Sequence, residues 1–292
     1  MISNQNTSCI LCSSANIAAY KGYENVGLTK CGECKFVFCK DIPSNEELQE
    51  YYTGSYERTR YFSPITVSRF NELLEGFEKY RKTGKILDIG AGYGFFLEIA
   101  RQKGWDVYGT ELTDEAVTHC ENKGIKMYKG ELQDIPLEEN TFDVIVAIEA
   151  LEHVNNPRDY IKHAHGALRK GGFFYITTPN FNAILRYHLR DKYNIIGYPN
   201  HLCYFTNKTL KKLVTNYGFK TQKIATTGIS LTRLKTSKGK SNQEFVSETS
   251  DDEMMRYKIE RNRTLMLIKR ISNGILNFFK IGDSLKGSFI KR

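Results

Sequence analysis

The chain has 292 residues, 40% hydrophobic and 26% charged, an ordinary globular composition with room for one large domain or for one domain plus a small module. No run approaches the ~18–20 apolar residues of a bilayer-spanning helix. The start, MISNQNTSCI, has no basic residues followed by an apolar stretch, so the expectation is a cytoplasmic chain without a signal peptide, in which disulfides do not persist.

The net charge of +9 is uneven: residues 205–292 hold 19 Lys and Arg against 7 Asp and Glu, whereas residues 1–204 hold 23 against 26. A basic face attracts phosphates, anionic lipid or an acidic substrate, and charge alone does not choose among them.

In chain order, the first feature is a cysteine pattern: CILC at 9–12 and CGEC at 31–34, eighteen residues apart. A two-residue gap lets both thiolates of a pair face one ion, and two such turns complete a tetrahedral Zn²⁺ site. Redox dithiols, the competing reading, come as one pair beside a βαβ unit. A module of roughly 40 residues also needs a staple because its core is small. Cys9, Cys12, Cys31 and Cys34 are therefore read as the ligands of a structural zinc without an open position, and Cys39 as a small buried hydrophobe or a substitute ligand. Residues 13–38 read as short strands and turns.

Next, Ser44 followed by Glu47 forms a capping box for a helix, and Val67, Phe70, Leu73, Leu74 and Phe77 repeat at helical spacing within a second helix over about 63–80. From Lys85 strands alternate with helices. Strands are predicted at 85–89, 106–110, 125–128, 142–148, 173–177 and 219–226, with helices near 94–103, 113–122, 157–169 and 206–216. That alternation implies βαβ units and a parallel sheet. A polar loop follows, then one long helix over 252–279 and a closing strand in SLKGSFIKR.

The stretch KILDIGAGYGFFLEIA is a strand, a glycine-rich turn and a helix start, with Gly90, Gly92 and Gly94 as G-x-G-x-G and Asp88 at the strand end. Phe95 stands where a dinucleotide fingerprint has no large residue. Glu111 ends the next strand, where an acid can accept two ribose hydroxyls, and GELQDIP follows the third strand ahead of FDVIVAIEALEHV. With these motifs in this order, residues 84–180 resemble the core of class I S-adenosylmethionine-dependent methyltransferases.

The resemblance implies an α/β, Rossmann-like, seven-stranded sheet whose last two strands form an antiparallel hairpin. It implies that Asp88, Gly90, Ala91, Gly92 and Gly94 line the methionine part of S-adenosylmethionine. Glu111 would hold the ribose, Leu112 would lie against the adenine, and Glu131 and Leu132 would face the adenine edge. Glu131 stands where relatives carry Asp. The cysteine pairs followed by FVF and PSNEELQEYY are similar to the zinc-binding N-terminal region of methyltransferases in sugar and surface-polysaccharide pathways, and NHLCYFTNKTLKKLVTNYGF resembles a segment that borders the acceptor pocket in relatives acting on small acceptors.

Methyl transfer is an in-line displacement needing alignment, plus a base when the acceptor must lose a proton. His153 follows the fourth strand, at the sheet end where open α/β folds bind ligands, and His201 lies in the NHLCYF loop; both are candidate catalytic residues. Glu149 is a candidate for hydrogen bonding to cofactor or acceptor, and otherwise caps its strand. Tyr51, Tyr52, Tyr56 and Tyr61 either cover the cofactor pocket or pack ribbon against core.

The expected organisation is a zinc ribbon over 1–42, a helical linker over 43–83 covering the cofactor site, a methyltransferase core over 84–228, an insertion over 229–283 carrying a basic amphipathic helix, and a closing strand over 284–292. That helix reads as a peripheral membrane contact through 252–281, or as packing on its own domain or a second subunit. The expected function is methyl transfer to a small-molecule or sugar/glycan acceptor, in a cytoplasmic protein that sits at the inner face of the membrane if the helix is a membrane contact. The alternatives are an RNA methyltransferase and a non-catalytic cofactor- or partner-binding protein. Nucleic acid is disfavoured because residues 1–45 have four Lys (21, 30, 35, 40) against Glu24, Glu33 and Asp41. No motif defines an oligomeric state.

Overall fold

The structure, a computed structural model, describes residues 4–44, 47–48, 51, 63–230, 233–235 and 251–292. Five short strands open it: β1 (Asn4–Gln5), β2 (Ile17–Ala19), β3 (Leu28–Cys31), β4 (Val37–Cys39) and β5 (Asp41–Ile42). The capping box forms, with the Ser44 N–H on Glu47 Oε2 at 2.8 Å and the Glu47 N–H on Ser44 Oγ at 3.2 Å. Tyr51 is exposed, and Tyr52, Tyr56 and Tyr61 lie outside the described residues.

Helix α1 (Pro64–Phe77) starts at Ser63, whose hydroxyl accepts the Ile65 N–H, with Pro64 pre-set at the first helical position. Then come β6 (Lys85–Ile89), α2 (Phe95–Gln102), β7 (Asp106–Glu111), α3 (Asp114–Asn122), β8 (Lys126–Lys129), β9 (Phe142–Ile148), α4 (Pro157–Ala167), β10 (Leu168–Pro179), α5 (Ile184–Leu189), β11 (Cys203–Tyr204), α6 (Asn207–Thr215) and β12 (Phe219–Thr227).

The long terminal helix of the sequence reading is two helices, α7 (Asp251–Glu260) and α8 (Arg263–Phe279). Asn262 takes an extended conformation between them, and its side chain accepts the N–H groups of Thr264 and Leu265. A cap inside an unbroken apolar pattern ends one helix and starts the next. The final strand is β13 (Ser284–Lys291).

Seven strands form one sheet in the order β12-β13-β10-β9-β6-β7-β8. The pairs from β10 to β8 are parallel, and β13 runs antiparallel between β10 and β12. Apolar runs such as FDVIVAI suit strands covered on both faces, and Ile86, Leu87, Val144, Ile145 and Val146 are fully buried. The buried Asp143 anchors the opposite end. It accepts the backbone N–H groups of Lys82, Thr83 and Gly84 at 2.7–2.8 Å and the Arg169 Nε–H. Burial alone would raise its pKa, but Arg169 and those three donors hold the carboxyl below its ordinary range.

The ribbon is joined to the large sheet's domain by a strand that the sequence reading treated as loop. β11 pairs antiparallel with β4, so the small sheet reads β11-β4-β3-β2. Cys9, Leu11, Cys31, Phe36 and Phe38 share a core with Leu151, Phe174 and Phe205. Arg186, buried at 5% exposure, packs its guanidinium 4.4 Å from the Phe181 ring centre and donates to the Tyr23 hydroxyl at 2.8 Å.

Helix α8 seats Leu276 and the Asn273 and Asn277 amides against the end of β12. Its other surface leaves Met266, Leu267, Ile268, Ile271, Ile275, Phe278 and Phe279 exposed, Phe278 at 78%. Own-domain packing therefore accounts for only a narrow strip of this helix. Among the described residues no helix is long and apolar enough to cross a membrane.

Candidate active site

The parallel strands all end on one side, and the register Pro179↔Ser284↔Thr227 brings the end of β12 and the start of β13 there as well. Residues 88–94, 111–112, 131–132, 149–153, 180, 228–230 and 283 thus meet at the carboxyl edge of the sheet, where open α/β folds bind ligands.

On one half, Gly90, Gly92 and Gly94 all have positive φ. A side chain at Gly94 would strike Cys120 Sγ and Ile125 Cδ1 at 2.8 Å, so only glycine lets the loop turn this tightly into α2. The Gly90 and Ala91 N–H groups donate to Thr110 O, and the Gly92 N–H donates to Glu111 Oε2 at 3.0 Å. Glu111 Oε1 takes the Leu112 N–H at 2.7 Å. Its carboxylate therefore pins the glycine loop to the end of β7.

Asp88 is 4% exposed, and its Oδ1 is buried without a hydrogen-bond partner. Burial, and then the neighbouring Glu111 charge, push its carboxyl well above the usual range. Leu112 is exposed and Leu132 is buried in the core, while Glu131 precedes the short turn 132–134 and accepts from Gln133 Nε2. An unsatisfied buried acid suits an ammonium group, and exposed Leu112 suits an apolar ring, so these residues fit S-adenosylmethionine.

The other half draws on distant segments. The Glu149 N–H donates to Thr177 O at 3.0 Å, and its φ of +51° turns the chain sharply out of β9 into 151–153. His153 and His201 stack edge-on, with ring centres 4.8 Å apart. Each Nδ1 sits 2.6 Å from a backbone carbonyl, His153 on Asn200 and His201 on Ile195. A carbonyl only accepts, so both Nδ1 atoms carry a proton.

Burial lowers the pKa of both rings, and with the added repulsion of His153 that of His201 falls to about 3. The structure thus brings together the two histidines named from sequence. It also adds three groups that were not: Glu152 at 2% exposure, and Arg233 and Asp283, with Arg233 interacting electrostatically with Tyr193, Glu149 and Asp283. The E-x-x-E spacing of Glu149 and Glu152 at a strand end was the available signal for Glu152. Nothing local marks Arg233.

The ribbon holds this half in place. The Cys39 N–H donates to Leu202 O at 2.9 Å and the Leu202 N–H to Glu152 O at 2.8 Å, while Cys39 Sγ reaches His201 O at 3.3 Å. Beneath it, Cys9, Cys12, Cys31 and Cys34 place their sulfurs within 4.8 Å of one another, with Cys9–Cys34 at 3.5 Å and Cys12–Cys31 at 3.7 Å. A tetrahedron of 2.3 Å zinc–sulfur bonds has edges of about 3.8 Å, so the four thiols fit such an ion. Burial would raise the Cys31 thiol, but the N–H groups of Cys34 and Glu33 bring it down to about 7.

A family model described as a methyltransferase domain matches residues 59–224. The chain belongs to this methyltransferase family. The ubiquinone biosynthesis O-methyltransferase of Bordetella avium is 29% identical over 127 residues, 41% of this chain and 51% of the relative. The sterol 24-C-methyltransferase of Schizosaccharomyces pombe is 26% identical over 167 residues, 51% of this chain and 44% of the relative. The chain thus spans about half the length of these curated relatives. A crystal structure of a SAM-dependent methyltransferase from Archaeoglobus fulgidus superposes with a TM-score of 0.53 at 20% identity, covering 84% of this chain and 98% of that one. That likeness establishes the methyltransferase fold, with its mainly parallel seven-stranded sheet.

Proposed function

We propose that the chain transfers a methyl group from S-adenosylmethionine to a small-molecule or sugar/glycan acceptor in cell-surface polysaccharide or secondary-metabolite synthesis, with a structural zinc on Cys9, Cys12, Cys31 and Cys34. One observation carries the reading: the Asp88 carboxyl, whose buried Oδ1 has no partner, and its glycine cradle share a sheet edge with a histidine pair fixed through Nδ1 on backbone carbonyls. Asp88, Gly90, Ala91, Gly92 and Gly94 would hold the methionine part, Glu111 the ribose, and Leu112 and Glu131 the adenine, whereas the side chain of Leu132 belongs to the core. When bound, the cofactor supplies a methyl carbon already activated by its sulfonium, so the chain's own task is alignment.

His153 and His201 perform that alignment. Neutral and buried, the pair borders the acceptor's place: the His201 Nε2 lone pair accepts a hydrogen bond from the acceptor's O–H or N–H and turns its nucleophilic lone pair toward the methyl donor, while His153 packs edge-on against that ring. Glu149 and Arg233 border the same space. The small-acceptor reading is supported by the closeness of these segments and by the two relatives, whose names give quinone and sterol methylation. The reading extends to a peripheral contact of residues 252–281 with anionic lipid at the cytoplasmic face of the membrane. Its support is the exposed apolar surface of α8, a helix with Arg263, Lys269 and Arg270 and no acid.

The test is cofactor calorimetry on the full chain, followed by labelled-methyl transfer to a panel of phenols, sugar nucleotides and sterols. Asp88→Ala should abolish cofactor binding. His153→Ala and His201→Ala should bind cofactor normally and lose roughly 100-fold or more in turnover. Wild-type protein that does not bind S-adenosylmethionine would sink the reading, and histidine variants with unchanged turnover would remove those residues from it.

A further inference from the structure

Four half-buried cations meet on the face of the large sheet that α1 covers: Arg69 of α1, Arg256 of α7, Lys269 of α8 and Lys286 of β13. Alternation along β13 turns Lys286 that way. Leu285 and Phe289 enter one core with Phe174 and Leu210, so Lys286, Ser288 and Ile290 take the opposite face, where Ile290 packs with Phe77 and Tyr175. Lys286 stands opposite Thr177, whose carbonyl accepts the Glu149 N–H, so only β10 separates it from the turn that leads to His153. The helices turn the other cations inward. Arg69 follows the buried Ile65 by one turn of α1, and Lys269 shares a face of α8 with Asn273 and the buried Leu276, which seat that helix on β12. The buried Glu253 of α7 accepts the Ser63 hydroxyl and lies 3.5 Å from Arg256. Among the described residues, Arg69, Lys269 and Lys286 have no carboxylate at ion-pair distance and no hydrogen-bond partner. Burial lowers the pKa of all three, and like charge lowers it further: Arg256 acts on Arg69, and Arg69 acts on Lys269 and Lys286. The acids in range answer little of this charge. Glu72 and Glu260 are exposed, Glu253 serves Ser63 and Arg256, and Glu149 is shared with Arg233. Like charges held together away from bulk water are unfavourable unless an anion joins them.

We propose that Arg69, Arg256, Lys269 and Lys286 form an anion subsite beside the acceptor half of the cleft, and that it takes a phosphate or diphosphate group carried by the acceptor. Two guanidinium forks match the paired oxygens of a phosphoryl group, and two ammonium groups add point charge. A lone carboxylate would leave most of that charge unanswered. The same phosphoryl chemistry has two sources, a water-soluble sugar nucleotide and a lipid-linked phosphate. In either case the anion anchors the acceptor away from the reacting atom, and that anchoring supplies alignment, which is what methyl transfer needs. Assigning the anion to the acceptor rests on the methyl-transfer reading; the anion subsite itself does not.

The probe is inorganic pyrophosphate, titrated by calorimetry into the full chain with and without saturating S-adenosylmethionine. One pyrophosphate per chain is expected, bound equally well in both cases. Arg69→Met and Lys286→Met should each weaken it about 10- to 100-fold, the loss of one charge-assisted contact, with cofactor affinity unchanged. Anomalous scattering from wild-type crystals soaked in tungstate should place the anion among the four side chains, a measurement that needs no variant to fold. Uridine diphosphate glucose and geranyl diphosphate then separate the sources: the one that binds more tightly than pyrophosphate identifies the acceptor as nucleotide-linked or lipid-linked. If both bind more weakly than pyrophosphate, the assignment to the acceptor falls. Absence of pyrophosphate binding, binding that survives both substitutions, or competition with S-adenosylmethionine overturns the subsite. Methyl transfer by a protein that binds no pyrophosphate would reject this inference alone. Pyrophosphate bound at these residues in a protein that transfers no methyl group would reject the proposed function and leave the subsite standing.

Discussion

The two halves of the cleft are built in opposite ways. The cofactor half is local: Asp88, the glycine loop, Glu111 and Glu131 come from three successive strand ends, tied together by the Gly92 N–H on the Glu111 carboxylate and the Gly130 N–H on Glu111 O. The acceptor half is assembled from Cys39 of the ribbon, 149–153 after β9, Ile195 to Leu202 before β11, and Arg233 and Asp283 at the two ends of the connection between β12 and β13. A shared reaction scaffold can keep the first half unchanged while the second varies with the acceptor. The second half also depends on the packing of the whole molecule, and it should fail in different experiments.

The sharpest way to test that contrast is to remove the metal proposed for the ribbon. Structural zinc contributes on the order of 10 kcal/mol to the folding of small cysteine-ligated modules. Chelation, or Cys31→Ser, should therefore unravel the ribbon, release β11 and abolish turnover. S-adenosylmethionine affinity measured on the same sample should fall less than tenfold. Equal loss of both properties would break the comparison.

A second test strikes the support common to both halves. Asp143→Asn removes the charge that holds 82–84 and Arg169, and breaking such a buried ion pair costs about 3–5 kcal/mol. The melting temperature should fall and both halves should weaken together. The sign with pH follows from the lowered carboxyl pKa. Its stabilisation is present above the unfolded value of about 3.9 and disappears as pH falls through the folded one, so acid should narrow the gap between wild type and variant.

Glu111→Gln probes the cofactor half alone. Losing a charge-assisted hydrogen bond costs about 1.5–3 kcal/mol, so S-adenosylmethionine binding by calorimetry should weaken about 10- to 100-fold with zinc content unchanged. Asp88 adds a subtler signature. Its carboxyl is held protonated to unusually high pH, whereas an ammonium partner requires the carboxylate. Cofactor affinity should therefore rise with pH across that titration, and binding should release a proton, detectable as a buffer-dependent heat that Asp88→Asn eliminates. The smallest effect on stability is expected at the exposed Phe278 and Phe279. Changing both to Ser should alter folding by no more than about 0.5 kcal/mol per site, yet abolish co-sedimentation with anionic vesicles.

Legibility in the sequence follows the same division. Strands with apolar runs, a glycine turn and an acid at each strand end are short-range patterns, so Lys85–Ile89 and Phe142–Ile148 match their predicted spans and Asp88, Gly90 and Glu111 could be named residue by residue. His153 and His201 are legible as catalytic candidates, singly and as a pair, from chemistry and position. Their contact was not readable because 47 residues separate Asn200 from the His153 ring it fixes. Glu152 sat beside a named histidine but reads as an ordinary surface acid until burial is known. Cys203–Tyr204 is too short to show a strand period, and the break at Asn262 hides in a continuous amphipathic pattern because a single cap overrides it.

The β4–β11 pairing sets an order of events during synthesis. Its partners include Cys39 and the loop of His201, 162 residues apart. All four clustered cysteines lie within the first 34 residues, so the zinc proposed for them can be captured before the segments of the large sheet are made. The small sheet, by contrast, cannot gain its last strand until residue 204 has been made and the intervening sheet has folded, because contacts so distant in sequence form late. The expected order is cysteine cluster first, large sheet second and seam last, so that the acceptor half of the cleft is completed by the closing of that seam.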